Sequence, residues 1–303
     1  MSGHLKSKLT NSKIILLYYL IILILTSYAT YKNGIILYQK NLINFIGIFK
    51  PLLLVLSGII ITYLINYIYI NVIKKDKYDY KEDYTPLFIA LITLTLPLNI
   101  SFILYLVIII LTNILKLFYN IEFINYYSLI KILFILILLI IGKYSYLTLY
   151  DTNIETNFST LDLFLGRGFG GIATGNILLL IICYLIMLFN EAYKKEIPII
   201  AIASYIITLV IFDLLFKNSV VLDIKNLITN GFIFGCLFIA TIPMYSPIKY
   251  KEKVIYSILI GIISFVINKI FNIYDGIYFA IIITNIIIIG YELLERRIVN
   301  EHK

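Results

Sequence analysis

A chain of 303 residues that is 61% hydrophobic, with 25 basic and 17 acidic side chains and a mean hydropathy of +0.97, holds too little polar surface for a water-soluble domain. Its apolar runs are continuous over about 17 to 25 residues and do not alternate in strand-length segments, which excludes a β-barrel and predicts an all-α, polytopic membrane protein. The net charge of +8 then reads as basic cytoplasmic loops and not as a surface for nucleic acid.

Lys6, Lys8 and Lys13 precede an apolar stretch from Ile14 to about Thr30. This resembles a signal peptide but, with so many spans following, is expected to be an uncleaved first span. Further spans are expected near Pro51–Ile73, Thr85–Leu96, Ile100–Phe118, Tyr127–Tyr146, Ala173–Phe189, Ile197–Phe216, Leu227–Ile242, Val254–Ile270 and Ile277–Leu294. That makes ten, the third one short. Threading them alternately from a cytoplasmic N-terminus leaves eight basic residues outside (Lys32, Lys40, Lys50, Lys143, Arg167, Lys217, Lys225 and Lys269) and 17 of the 25 inside. The bias predicts a multi-pass protein of the cell membrane with both termini cytoplasmic.

The connection from about Leu149 to Ile172 falls on the outer side and holds Asp151, Glu155, Asp162 and Arg167, then the glycine run Gly166-Arg167-Gly168-Phe169-Gly170-Gly171. A loop of this length in a chain with short connections points to function. The glycines also serve a turn before the next helix or a close helix approach.

Two segments rhyme. Thr95-Leu96-Pro97 ends the third span and Thr241-Ile242-Pro243 the eighth; a Lys-x-Phe element follows each about one span later, with one carboxylate beside it, Glu122 or Asp275. Five spans per half force the halves to enter the membrane in opposite senses. The expectation is an inverted-topology repeat, with a first five-helix repeat over 1–148, an outer-side loop over 149–172 and a second repeat over 173–303. A proline frees helix carbonyls that must find partners in protein or a water-filled cavity, so the paired Thr-x-Pro breaks point to a substrate or cofactor region.

Soluble-enzyme constellations are missing: there is no G-x-S-x-G, no G-x-x-x-x-G-K, no H-E-x-x-H and no histidine outside the termini. Cys183 and Cys236 lie far apart in apolar runs, so neither a zinc site nor a four-cysteine iron–sulfur cluster can be built. Charges within the bilayer usually line a pathway. The ion-pathway candidates are Glu122, Asp213 and Asp275, with Asn230 and Asn285 among the amides in spans, and Lys131 lies within the fifth. Interfacial snorkelling or a helix-to-helix hydrogen bond is the alternative for each.

The run from Leu227 through Asn230-Gly231, Gly235 and Ala240-Thr241-Ile242-Pro243 to Ser246-Pro247 resembles a segment of the RnfD subunit of Rnf-type electron transport complexes that reads approximately G-x-x-F-G-x-x-F-x-A-T-D-P-V-T-S-P. Tyr274-Asp275-Gly276-Ile277-Tyr278-Phe279-Ala280-Ile281, with Asn285, looks like that family's Y-P-[DE]-G-V-x-F-A-I followed by Asn. Phe164-Leu165-Gly166 and Gly170-Gly171-Ile172 fall where it has F-L-G and a glycine-rich stretch. The NqrB subunit of the sodium-pumping NADH:quinone reductase belongs to the same superfamily. The resemblance covers most of the chain in order, with specific motifs only after about residue 160.

It implies a non-autonomous subunit of an ion-translocating oxidoreductase, coupling electron flow to sodium or proton movement beside flavin-bearing and iron–sulfur subunits. It also implies FMN joined through a phosphoester to threonine in an outer-side S-x-A-T-P-like motif. Here the best fit is Asp151-Thr152-Asn153-Ile154-Glu155-Thr156, which lacks the serine, alanine and proline, while Ile242 replaces the acidic residue of A-T-D-P. Thr156 is the expected attachment point, with Arg167, Gly170, Gly171 and Thr174 as phosphate-binding candidates. The rival reading is a small-solute or ion transporter on the same repeat without redox chemistry.

Overall fold

The computed structural model describes residues 11–118, 124–142, 159–166, 170–217, 220–271 and 273–301, among which all regular structure is helical. Helix α1 (Asn11–Thr30) continues through a π-helical turn at Tyr31–Ile35 into α2 (Ile36–Gln39), so the first span outruns the apolar stretch that marks it. Lys32 and Asn33 hide this continuation in the sequence; both are buried in the helix, and Lys32 is not in an outer connection. A 3-10 turn at Phe45–Phe49 leads into α3 (Lys50–Ile68), whose Pro51 sits in the first turn, where a missing N–H costs nothing.

Helix α4 (Thr85–Leu94) has ten residues, about 15 Å, against a hydrocarbon core of about 30 Å. Every one of its residues is buried, which meets the condition for a helix to stop at membrane depth. Helices α5 (Phe102–Phe118) and α6 (Tyr126–Ile140) follow. Helix α7 (Thr160–Phe164) is capped by Ser159, whose Oγ accepts from the Asp162 N–H at 3.1 Å, and α8 (Ile177–Met187) by Asn176, whose Oδ1 accepts from Leu179 N–H at 3.0 Å.

Helix α9 (Glu196–Phe216) carries Pro198 in its first turn. The expected eighth span over Leu227–Ile242 is not one helix. It is α10 (Val220–Thr229), a left-handed turn at Gly231 with φ of 72°, then α11 (Phe232–Phe234) running into a π-helical turn at Gly235–Ile239. Helices α12 (Tyr250–Phe271) and α13 (Gly276–Glu301) complete the chain. Among the described residues, four helical stretches are long and apolar enough to cross a membrane, at Lys13–Gln39, Phe45–Ile73, Glu196–Phe216 and Tyr250–Phe271; α4, α5, α6, α8 and Gly276–Tyr291 are shorter apolar helices.

Two of the long helices turn apolar side chains outward and keep polar ones inside. On α3, Leu53, Leu56, Ile60 and Leu64 are exposed while Thr62 and Asn66 are buried. On α9, Ile199, Ile207, Ile211 and Leu214 are exposed while Ser204, Tyr205 and Asp213 are buried. Lipid leaves apolar surface unpenalised, so the polar side chains of these spans turn inward, beside buried apolar ones such as Leu54 and Leu209.

The chain forms two compact units. One holds α1–α5, α7 and α8 with the end of α6 from Ile137; the other holds α6 up to Leu136 and α9–α13. In the first, α3 packs on α4 and α5, with α1 along α3 and α4. In the second, α12 packs on α9 and α13, and Gly261 brings α12 close to α9: an added Cβ there would stand 2.5 Å from the Ala201 carbonyl oxygen.

Candidate functional site

In the second unit the half-length helix α11 and its π-helical continuation start at Asn230-Gly231 and end before Pro243. Asn230 begins it: its Oδ1 accepts from the Phe232 N–H at 3.0 Å, and its Nδ2 donates to the Tyr205 hydroxyl at 3.3 Å. Gly231 supplies the left-handed turn a side chain would resist. Beside it lies Asp275, whose Oδ1 is 3.4 Å from where a Gly231 Cβ would stand.

Asp275 is paired. Its Oδ2 lies 3.1 Å from Lys131 Nζ on α6, with the two side chains only 4% and 1% exposed, and the same ammonium sits 5.6 Å from the centre of the Tyr278 ring. Asp275 is therefore a buried carboxylate whose charge is balanced within the unit.

A second polar group surrounds the other end of the half-helix. Asn125 Nδ2 donates to the Ile239 carbonyl at 2.9 Å, and Thr241 Oγ1 donates to the Leu237 carbonyl at 2.7 Å. The Asn285 amide, oriented to satisfy both ends, donates to Tyr256 Oη at 3.3 Å and the Ile281 carbonyl at 3.1 Å, and accepts from Asn125 N–H at 3.1 Å. Beyond Pro243, Lys194 Nζ donates to the carbonyls of Pro243 (3.3 Å) and Ser246 and to Ser246 Oγ (2.7 Å). These carbonyls follow a helix C-terminus, where a cation is favoured. Burial, reinforced by Lys253, pushes the Lys194 ammonium down to about 8.

A cavity of about 140 Å³ opens on the first of these groups, lined by Tyr205, Asn226, Asn230, Asn268, Tyr274 and the Lys269–Asp223 ion pair, among others. Asn268 ties it to the pair: its Nδ2 donates to Tyr205 Oη at 3.3 Å, while its Oδ1 accepts from the N–H of Gly276, the residue after Asp275.

Four of the sequence candidates are thus brought into one unit, but not into one cluster. Asn230 and Asp275 lie at the start of the half-helix, Asn285 near its end, and Asp213 is buried on α9. Glu122 lies outside the described residues. Asn268, Tyr205, the Asp223–Lys269 pair and the Lys194 contacts were missed; the signal available was that opposite charges embedded in apolar runs require partners.

The flavin candidates fall in or before the first unit's segment leading to α8. Thr156 and Arg167 lie outside the described residues. Gly170, Gly171 and Thr174 lie on the described part of the segment between α7 and α8. Gly171 N–H donates to Thr174 Oγ1 at 2.8 Å, and the N–H groups of Ile172 and Ala173 donate to the carbonyls of Leu96 and Leu94 at 2.9 Å each. Gly171 is bare because a Cβ would stand 2.5 Å from the Thr95 carbonyl oxygen. The glycine segment caps the end of α4. Across the same segment, Asn33 Nδ2 donates to the Ile172 carbonyl at 2.8 Å, and Lys50 Nζ donates to the Leu98 carbonyl, just past Pro97, at 2.6 Å.

The sequence model of the NQR2, RnfD, RnfE family matches residues 125–296, more than half of the chain. The D subunit of an ion-translocating oxidoreductase complex of Actinobacillus succinogenes is 31% identical over 102 residues, which is 34% of this chain and 29% of that protein. The D subunit of the Na(+)-translocating ferredoxin:NAD(+) oxidoreductase complex of Acetobacterium woodii is 31% identical over 130 residues, 42% of this chain and 39% of the relative. A third such relative, the D subunit of an ion-translocating oxidoreductase complex of Erwinia tasmaniensis, is 30% identical over 100 residues, 33% of this chain and 28% of its own length. The matched stretches thus span less than half of each relative.

Proposed function

Because the chain belongs to the NQR2, RnfD, RnfE family, we propose that it is a membrane subunit of an Rnf-type complex that couples electron transfer to the movement of sodium ions or protons. The observation that carries this reading is the set of polar groups in the second unit: the cavity, buried Asn230 and half-buried Asn268, then buried Asp275 with Lys131. A buried carboxylate beside the interrupted start of a helix, in an otherwise apolar span, is what a cation path requires. The chain cannot act alone: electrons need donors and acceptors on neighbouring flavin-bearing and iron–sulfur subunits.

The proposal includes ten membrane spans in two oppositely inserted halves, both termini cytoplasmic, in the cell membrane. Three features support the repeat. Each unit contains one half-length helix, α4, wholly buried, or α11 with its extension, buried except at Ile233, ended by a Thr-x-Pro element. In each, a lysine at the foot of the preceding long helix, Lys50 or Lys194, donates to carbonyls at or just past the proline. In each, a threonine of that element, Thr95 or Thr241, donates back to a carbonyl three or four residues earlier.

The flavin part rests on Thr156 as the attachment point, with Arg167, Gly170, Gly171 and Thr174 about the phosphate. FMN would bring one-electron redox chemistry to the outer side, and no step is derived through it. A second reading is an ion transporter of this fold without redox activity.

The test is expression together with flavin-attaching machinery shown to work on a known member, followed by in-gel flavin fluorescence and intact mass. A fluorescent band with the mass of one FMN, lost in Thr156→Ala, supports the electron-transfer reading. Its absence moves the chain to the redox-silent reading.

A further inference from the structure

Lys131 and Asp275 stand out among the described ion pairs: both side chains are almost wholly buried, whereas Lys249–Glu252, Lys253–Glu196 and Lys269–Asp223 each have a partner that is at least 30% exposed. A buried pair of this kind does little for stability beyond what packed apolar side chains would do. Its geometry is that of an occupied cation site. The ammonium carries one positive charge, lies 3.1 Å from the carboxylate and faces the Tyr278 ring.

Neutral oxygen is also at hand. Ser128, one turn before Lys131 on α6 and therefore on the same face, is fully buried, and its Oγ has no hydrogen-bond partner. The cavity reaches the neighbours of the pair and not the pair itself: its lining includes Asn230, Asn268 and Tyr274 but neither Asp275 nor Lys131. Tyr274 is bonded to Asp275 in sequence, Asn268 holds the backbone of Gly276, and Asn230 precedes the glycine that packs on Asp275 Oδ1.

We infer that Lys131 is a tethered occupant of a monovalent-cation site whose carboxylate ligand is Asp275, and that a free cation of sodium's class reaching the site from the cavity takes the place of the Lys131 ammonium. Two cations against one carboxylate in this burial are disfavoured, so binding of the free cation and occupancy by the Lys131 ammonium exclude one another. The lysine stem is long and flexible, which lets the ammonium withdraw while the backbone of α6 stays in place. The inference deepens the ion-translocation reading and takes its physiological sense from it, but the site stands or falls on binding.

The experiment uses the purified full chain and follows thermal unfolding with a thiol-reactive dye, since Cys183 and Cys236 are both buried. Sodium chloride is titrated against choline chloride at constant ionic strength, with lithium and potassium chloride as further probes. Lys131→Gln should show a saturable, sodium-dependent rise in melting temperature. The wild-type chain should need at least about tenfold more sodium for the same rise, because its site is free only a small fraction of the time. Lys131→Gln with Asp275→Asn should show none. A folded Lys131→Gln chain that responds to sodium as it does to choline overturns the inference, as does a response that survives Asp275→Asn. Where Lys131→Gln does not fold in choline, recovery of monodisperse protein in sodium but not choline supports the site, and failure in both overturns it. Sodium binding by Lys131→Gln alongside an assembled wild-type complex that moves no cation would keep the site and remove the functional reading.

Discussion

Asp275 is 3% exposed, and the Lys131 ammonium stands 3.1 Å from its carboxylate. Removing one partner strands the other, so in sodium-free buffer Lys131→Met should cost about 3–5 kcal/mol of stability, while Lys131→Met with Asp275→Asn should recover most of it. A double-mutant cycle on chemical denaturation measures the coupling. At Gly171 the relevant quantity is a distance: a Cβ 2.5 Å from the Thr95 oxygen meets backbone, which cannot swing away. Gly171→Ala should therefore destabilise by about 1–3 kcal/mol, as overpacking does, seen as a lowered melting temperature. These two positions also mark what a sequence discloses about residues. Asp275, Asn230 and Asn285 were legible as candidates because a polar side chain inside an apolar run must be satisfied. The glycines at 170 and 171 were legible as bare backbone but not for what approaches it, and the neighbour is the end of α4, some 75 residues earlier in the chain.

Helices were legible wherever a long apolar run marked them, and α9 and α12 lie within a few residues of where hydropathy puts them. The break at Asn230-Gly231 was not, because a left-handed turn leaves hydropathy unchanged. Nor was the run-on of α1 through Lys32 and Asn33, whose burial depends on partners such as the Ile172 carbonyl. Carbonyls left open at a helix end need partners, and Lys194 supplies one past Pro243. Its folded-state value of about 8 lies below the 10.5 of an unperturbed lysine, burial being the main cause. Between those values the unfolded chain binds more protons than the folded one, so this group adds stability as pH rises through that window and withholds it below about 8. The melting temperature of the wild-type chain relative to Lys194→Met should accordingly climb from pH 8 to pH 10 in calorimetry, and a flat difference would contradict it.

On the scale of the whole chain, neither compact unit is a continuous half: α6 up to Leu136 belongs with α9–α13, and α7 and α8 belong with α1–α5. Hydrogen bonds such as Asn125 to Ile239, 114 residues apart, and Asn33 to Ile172, 139 apart, produce this grouping, and local patterning carries no trace of such pairings. The way the chain enters the membrane depends instead on the basic residues in short connections, which the sequence does display. With the N-terminus inside, the connection after the first span and the start of α10 face outward, while those after the second and eighth spans face inward. Buried Cys183 and Cys236 give a quiet background for thiol labelling. Leu42→Cys and Val221→Cys, both at exposed positions, should react with an impermeant maleimide on intact cells. Lys77→Cys and Lys251→Cys, also exposed, should react only after permeabilisation. Because each half contributes one outward and one inward position, labelling of all four in the expected pattern tests the two oppositely inserted halves, whereas reversal within one half alone would mean that one span of the ten does not cross.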